Sequence, residues 1–277
     1  MGAATVASVD GRIMAPEDAT ISILDDGLLR GDGAFEVIKL YDGHPFRLGA
    51  HIARIARSAA AIHLDFDAGA LDAEVAALLA AEGSGDGCLR IVLTRGGRRL
   101  LTLEDLPDWG ASVRIALVTL SPSEILAGVK SISYAANMHA TRLAVAAGAE
   151  EAVYVDAGGT VLEAPTSSVF WTTADGNLRT PALDAGILDS ITRAVVLERL
   201  EVEEGSFPKA DLIESREAFL ASTTREIQPI AAVDGHELEI VGGERTAAAR
   251  AALEAAVAAE REEAGASVGP AGAERAP

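Results

Sequence analysis

Short runs of alternating apolar and polar residues dominate the first third of the chain. Residues 4–14, ATVASVDGRIM, read as a strand, a turn at Asp10-Gly11 and a return strand. Phe35 to Tyr41 alternates and stops at Asp42-Gly43, a two-residue hairpin signal. The period then changes. Leu48, Ile52, Ile55, Ala59 and Ile62 recur at helical spacing and predict an amphipathic helix over 48–62, and ALDAEVAALLAAE predicts another over 70–82. CLRIVLTRGG and SVRIALVTL predict two more strands. This mixture points to an α+β unit over residues 1–118.

The pattern lapses over 119–128 (TLSPSEILAG), which is the expected linker. A second unit, 129–264, opens with a predicted helix from Ala135 to Ala147 that Gly148 ends. EAVYVD, TVLEA and SSVFWTT read as strands, with turns at Ala157-Gly158-Gly159 and Asp175-Gly176. A helix is expected from Ser190 to Leu200. AFLAST and IQPIAAV are further strands around the polar knot Thr223-Thr224-Arg225-Glu226, and 245–263 is a last helix. The tail, 265–277, is low-complexity and is expected to be disordered.

Composition narrows the classes. A chain of 277 residues, 49% hydrophobic, can bury a substantial core. Its apolar runs are too short for a membrane span, and its start lacks the basic and apolar regions of a signal peptide. One cysteine, Cys88, offers neither an internal disulfide nor a metal-ligand set, so no metal is expected and a reducing cytoplasm fits. A formal charge of -19 disfavours nucleic acid and anionic membrane as partners. An anionic ligand would need local cations or a helix start.

The cations are unevenly chosen. Lys39, Lys130 and Lys209 are the three lysines, against 20 arginines. An amine loses its proton on burial and attacks carbonyls, whereas guanidinium does not. Compositional bias also makes lysine scarce, so rarity alone leaves Lys130 an ordinary surface residue. Other segments change its weight. Glu163 sits in the small and apolar run VLEAPTSSVF, where it is either an edge-strand surface acid or a buried partner for a cation. ILDSITR opens a helix with hydroxyls and free N–H groups, which suits a phosphate and equally suits a plain N-cap. Ser222-Thr223-Thr224-Arg225 is an oxyanion site or a turn. His51 and Arg54, three apart, share a helical face. An amine, a carboxylate and an anion cradle are together the parts that pyridoxal phosphate (PLP) requires.

RGDGAFEVIKLYDG, HIARIARSA, VKSISYAANM, LEAPTSSVFW, ILDSITR and STTREIQPI resemble, in order and spacing, the fold-type IV PLP enzymes. These include D-amino acid and branched-chain aminotransferases, (R)-selective amine transaminases and aminodeoxychorismate lyases. The resemblance runs from about residue 5 to 240. It implies a two-domain α+β fold, with a small amino-terminal α/β domain and a larger domain containing a pseudo-barrel. It implies that Lys130 forms the Schiff base, that Glu163 faces the pyridine nitrogen, and that Tyr134 reaches the ring hydroxyl. Arg54, Ser190, Ile191, Thr192, Thr223 and Thr224 are implied for the phosphate. Ser190 stands where relatives often have glycine.

For the substrate, the resemblance implies Phe35 and a carboxylate-binding arginine. The loop Arg95–Arg99 lies where the D-amino acid branch binds carboxylate, but it is shorter and lacks that branch's histidine. Arg98 and Arg99 are the expected anchors, with Arg30 or Arg225 as substitutes. The expected activity moves an amino group between a D-amino acid, or an (R)-amine, and a 2-keto acid. The alternatives are a lyase releasing pyruvate from aminodeoxychorismate and a branched-chain L-amino acid aminotransferase. A cofactor-free protein that uses the fold for interaction alone is disfavoured by the intact Lys130 and Glu163. A homodimer is implied, since the family closes its site with a partner loop.

Overall fold

Two sheets follow one another along the chain in the computed structural model, which describes residues 4–82 and 85–267. The first is built from β1 (Ala4–Val9), β2 (Arg12–Met14), β3 (Gly33–Tyr41), β4 (His44–Pro45), β5 (Gly87–Thr94) and β6 (Arg99–Glu104). A short helix α1 (Asp26–Arg30) precedes β3, and α2 (Leu48–Ala61) and α3 (Ala68–Glu82) lie between β4 and β5. The strands run in the order β2-β1-β6-β5-β3-β4, with antiparallel neighbours. Both expected two-residue turns form. Asp42 and Gly43 take φ of 48° and 78°, the left-handed pair that matches strand twist.

The alternation decides which side chains face which way. Ala34, Ile38 and Leu40 of β3, Leu89, Ile91 and Leu93 of β5, and Leu101 and Leu103 of β6 share the core under α2 and α3. Phe35, Val37 and Lys39 are in the opposite phase, opposite Val92, Arg90 and Cys88 of β5. That second face looks toward the rest of the molecule.

The second sheet contains β7 (Val113–Thr119), β8 (Glu151–Val155), β9 (Ser168–Thr172), β10 (Leu178–Pro181), β11 (Glu203–Gly205), β12 (Glu217–Ser222), β13 (Glu226–Val233) and β14 (His236–Glu237). Its order is β11-β10-β9-β12-β13-β7-β8, with β14 on β13. The helices are α4 (Ala135–Ala146), α5 (Ile191–Arg199), α6 (Lys209–Ile213) and α7 (Glu244–Ser267). α5 and α7 pack on one face of β12 and β13 through Val195, Val196, Phe219, Ile227, Ala249 and Leu253.

Several expectations shift. β7 lies between β13 and β8, parallel to both, so it belongs to the second sheet. The chain therefore passes between sheets at 105–112, and not over 119–128. TVLEA forms isolated bridges and no regular strand. Two bonds tie it to β8, from Tyr154 N–H to Glu163 O and from Leu162 N–H to Tyr154 O, both 2.8 Å. Pro165 then removes a ladder donor, and Ala164 and Ser167 close a turn. β6 and β10 were not expected. The helix α7 extends to Ser267, into the expected tail, and 268–277 lie outside the described residues. No described helix is long and apolar enough to cross a membrane.

Candidate active site

The segment carrying Lys130 is laid against the start of β3. Phe35 N–H donates to Lys130 O at 3.0 Å, and Ile132 N–H donates to Gly33 O at 3.1 Å. A side chain at Gly33 would collide with Leu93 O and Ile132, so glycine is required for this approach. From α2, the Ser58 hydroxyl accepts the Lys130 N–H at 3.1 Å. The Lys130 amine then stands 4.5 Å above the Phe35 ring, and the Tyr134 ring meets Phe35 edge-on at 5.3 Å. Desolvation drives the amine down to about 8, and the nearby Arg54 and Arg90 charges act in the same sense against Glu36 and Glu163.

Glu163 reaches the same cleft from the turn after β8. Both carboxylate oxygens accept the Leu188 N–H at 3.2 Å, and no side-chain cation bonds to them among the described residues. Desolvation raises its pKa to about 7, against the backbone bond and the more distant Lys130, Arg54 and Arg193 charges. Lys130 and Glu163 retain some exposed surface, yet protein surrounds both, as expected of groups lining an interior cleft. Tyr134 donates its hydroxyl to Pro165 O, and Asn137 Nδ2 donates to the same oxygen at 3.0 Å. The Lys130 and Glu163 segments are thereby linked.

Arg54 is buried beside them. Its Nε and Nη2 donate to Glu36 at 2.7 Å each, and its Nη1 donates to Asp189 O at 2.9 Å. His51 Nδ1 lies 2.7 Å from the same carboxylate. Burial alone would raise Glu36, but the bonds from Arg54 and His51 override it and hold the carboxyl at about 2. Asp189 lies two residues before α5. There Ser190 is the N-cap, and its hydroxyl accepts the Arg193 N–H at 3.3 Å. The amides of Ile191 and Thr192 open the first turn, where no intrahelical acceptor exists. Thr223 and Thr224 form the turn between β12 and β13, the strands on which α5 packs.

The expected carboxylate anchors lie elsewhere. Arg99 is in phase with Leu101 and Leu103, so it points to the helix-covered face, where its Nη2 meets Glu74 of α3 at 2.7 Å. Arg98 pairs with Asp10 in the first hairpin turn at 2.6 Å. Arg30 is exposed and pairs with Asp26 one helical turn earlier. Arg225 is buried against Glu151 and Gln228, with its guanidinium 3.8 Å from the Trp109 ring centre. Within the chain, each of these cations is held by a carboxylate outside the Lys130 cleft. Arg90 was missed. It lies on the Phe35 face of β5, is paired with Glu104 at 2.6 Å, and lies within electrostatic reach of Lys130 and Tyr134. Strand phase was the available signal, because Arg90 alternates with the core residues Leu89 and Ile91.

Comparison with known proteins gives the family. The family model described as amino-transferase class IV matches residues 33–233. A D-alanine aminotransferase from Listeria innocua is 32% identical over 263 residues, covering 86% of this chain and 90% of the relative. A putative branched-chain-amino-acid aminotransferase from Methanocaldococcus jannaschii is 31% identical over 255 residues, 82% and 87% of the two chains. Among solved structures, a fold IV-transaminase from Curtobacterium pusillum superposes with a TM-score of 0.78 at 30% identity, covering 89% and 93%. On sequence and fold together, the chain belongs to the class IV aminotransferases, a family of PLP-dependent enzymes.

Proposed function

We propose that the Lys130 cleft holds PLP and transfers an amino group between a D-amino acid and a 2-keto acid. Glu163 carries the reading. A carboxylate this desolvated, bonded only to a backbone N–H, suits a cationic ring nitrogen. The donor set fits the rest of the cofactor. Arg54, the Ser190–Ile191–Thr192 helix start and the Thr223 and Thr224 hydroxyls offer charge and N–H or O–H donors to a phosphate. Tyr134 borders the amine and can turn its hydroxyl to the ring oxygen.

When bound, PLP supplies an electron sink for the pair left on the substrate carbon. The chain's own residues do the rest. Lys130, with its pKa near 8, is partly unprotonated at neutral pH, so it can attack a carbonyl and later carry a proton. Glu163 keeps a proton on the ring nitrogen. The relative from Listeria supports the D-amino acid substrate class. For the α-carboxylate, position favours Arg90, which lies on the Phe35 face beside Lys130 and is itself held by Glu104 through two bonds. A second copy of the chain completes the assembly. Ile23, Leu24, Leu28 and Leu29 are 54–78% exposed on one segment beside α1, which suits burial against a partner subunit.

Borohydride reduction of the PLP-loaded enzyme is expected to fix cofactor mass on the peptide containing Lys130, and D-alanine to convert bound PLP to pyridoxamine phosphate faster than L-leucine does. Label on Lys39 or Lys209 overturns the Lys130 assignment. Faster turnover of L-leucine, or pyruvate release from aminodeoxychorismate, overturns the substrate class.

Glu163→Gln is expected to lower kcat by orders of magnitude while the apo protein melts at the same or a higher temperature at pH 8. The raised carboxyl costs stability as pH climbs from the unfolded value of about 4.5 to the folded value of about 7, and glutamine removes that cost. A large drop in apo melting temperature would make Glu163 a structural residue.

Arg90→Met is expected to raise KM for D-alanine by about tenfold or more, the scale of a lost charge-assisted bond, and to spare a carboxylate-free (R)-amine. Arg99→Ala should leave both KM values near wild type and lower the unfolding midpoint in urea. The opposite pattern would return the carboxylate site to the Arg95–Arg99 loop.

Sedimentation at micromolar concentration is expected to show a dimer, which Leu24→Asp with Leu28→Asp converts to monomer with loss of activity. A fully active wild-type monomer would exclude the partner's role.

A further inference from the structure

The turn carrying Thr223 and Thr224 is built around a residue in an uncomfortable conformation. Glu226 closes the turn with a φ of 57°. The left-handed region suits glycine, and asparagine or aspartate less well. A glutamate there costs about 1–2 kcal/mol. Its side chain is not idle. Oε1 accepts from Lys39 Nζ at 2.8 Å and from the Tyr41 hydroxyl at 2.7 Å. Lys39 also stacks over the Tyr41 ring, 4.6 Å from its centre. Both donors come from β3, the strand whose other end places Phe35 under Lys130 and Glu36 against Arg54. The preceding residue ties the turn the other way. Arg225 reaches Glu151 on β8 and Gln228, and Gln228 Nε2 in turn donates to Gly110 O in the segment between the sheets at 2.8 Å.

Two adjacent residues therefore grip one turn from opposite sides. Arg225 fastens it to the second sheet and the crossing segment. Glu226 fastens it to the first sheet. Lys39 is one of three lysines in an arginine-rich chain, and its amine is spent on this contact. We infer that the Lys39–Tyr41–Glu226 clamp is a positioning device: it holds the Thr223–Thr224 turn in register with β3, so that hydroxyls from the second sheet and Arg54 from the first meet on the same phosphate. Glu226 touches no reacting atom. It acts through the turn, and it makes phosphate binding depend on the seating of one sheet against the other.

This rests on the proposed PLP site, and the two can fail separately. Apo protein would be titrated with PLP, following absorbance and tryptophan fluorescence, and its melting temperature measured without cofactor. Glycine is the residue the backbone at 226 prefers, so local strain and the clamp predict opposite results for Glu226→Gly. The clamp predicts PLP affinity at least about tenfold weaker with an apo melting temperature no lower than wild type. Lys39→Met combined with Tyr41→Phe, which leaves the turn sequence intact, should weaken PLP to a similar degree, and Lys39→Arg should restore most of the affinity. Wild-type affinity in Glu226→Gly overturns the clamp, as does an affinity loss that only follows a fall in apo melting temperature. If Glu226→Gly fails to fold, the Lys39 and Tyr41 variants decide by the same two readouts. A wild-type protein that binds no PLP overturns the proposed function instead.

Discussion

One guanidinium joins the parts of the site. Arg54 satisfies Glu36 with two bonds and the carbonyl before α5 with a third, all from a buried position. Removing one partner from a buried pair of this kind typically costs about 3–5 kcal/mol, because the other charge is left without compensation. Lysine could not replace it, since an ammonium lacks the planar fork that serves two directions at once. α2 carries Arg54 and also Ser58, which fixes the Lys130 N–H, while β3 carries Glu36 and fixes the Lys130 carbonyl. The positions of the Arg54 guanidinium and of the Lys130 backbone are thus set by the same helix and strand.

The cleft built on that frame is electrostatically uncomfortable by itself. Desolvation lowers Lys130 to about 8 and raises Glu163 to about 7. For Lys130, the folded state binds its proton less well than the unfolded chain, so the cost is full below pH 8 and relieved as pH rises toward 10.5. For Glu163 the cost is absent below about 4.5 and full above 7. Between pH 7 and 8 both groups are held against their preferred charge states. A ligand that takes the amine into a covalent bond and offers a cation to the carboxylate relieves both costs together. Glu36, pushed the other way to about 2, keeps its charge and anchors the cluster throughout.

Much of this was legible in the sequence, for identifiable reasons. The Asp42-Gly43 turn and the helix over 48–62 follow from local chemistry, and they place Phe35 and Arg54. Lys130 stood out by residue choice, and Glu163 by its apolar surroundings. What failed was non-local or depended on phase. β7 reads as a strand in any sheet, and its sequence carries no mark of which sheet it joins. β6 went unread, and with it the alternation Arg99, Leu101, Leu103 that turns Arg99 toward α3 and away from the cleft. The same alternation on β5 turns Arg90 toward the cleft. Strand phase thus separates two arginines that lie close in sequence, Arg99 on the α3 side and Arg90 on the Phe35 side.

Strand phase also explains how a strongly acidic protein can serve anionic ligands. Its formal charge is -19, yet the cations are not spread as a counter-field. Arg95, Arg98, Arg99 and Arg179 are each occupied by a carboxylate on the outer or helix-covered side. Lys130, Arg54 and Arg90 approach a common space, and β3 and β5 with α2 hold all three. Carboxylates at the surface repel anions at long range, and salt screens that repulsion within about 10 Å. Inside the cleft screening is weak, and the local set of Arg54 with Glu36, Arg90 with Glu104 and Lys130 near Glu163 acts in place of the distant surface charge. The net charge therefore says little about what this site accepts. The local arrangement decides it: strand phase puts Arg90 on the Phe35 face, and α2 brings Arg54 from the other side of β3 to Glu36.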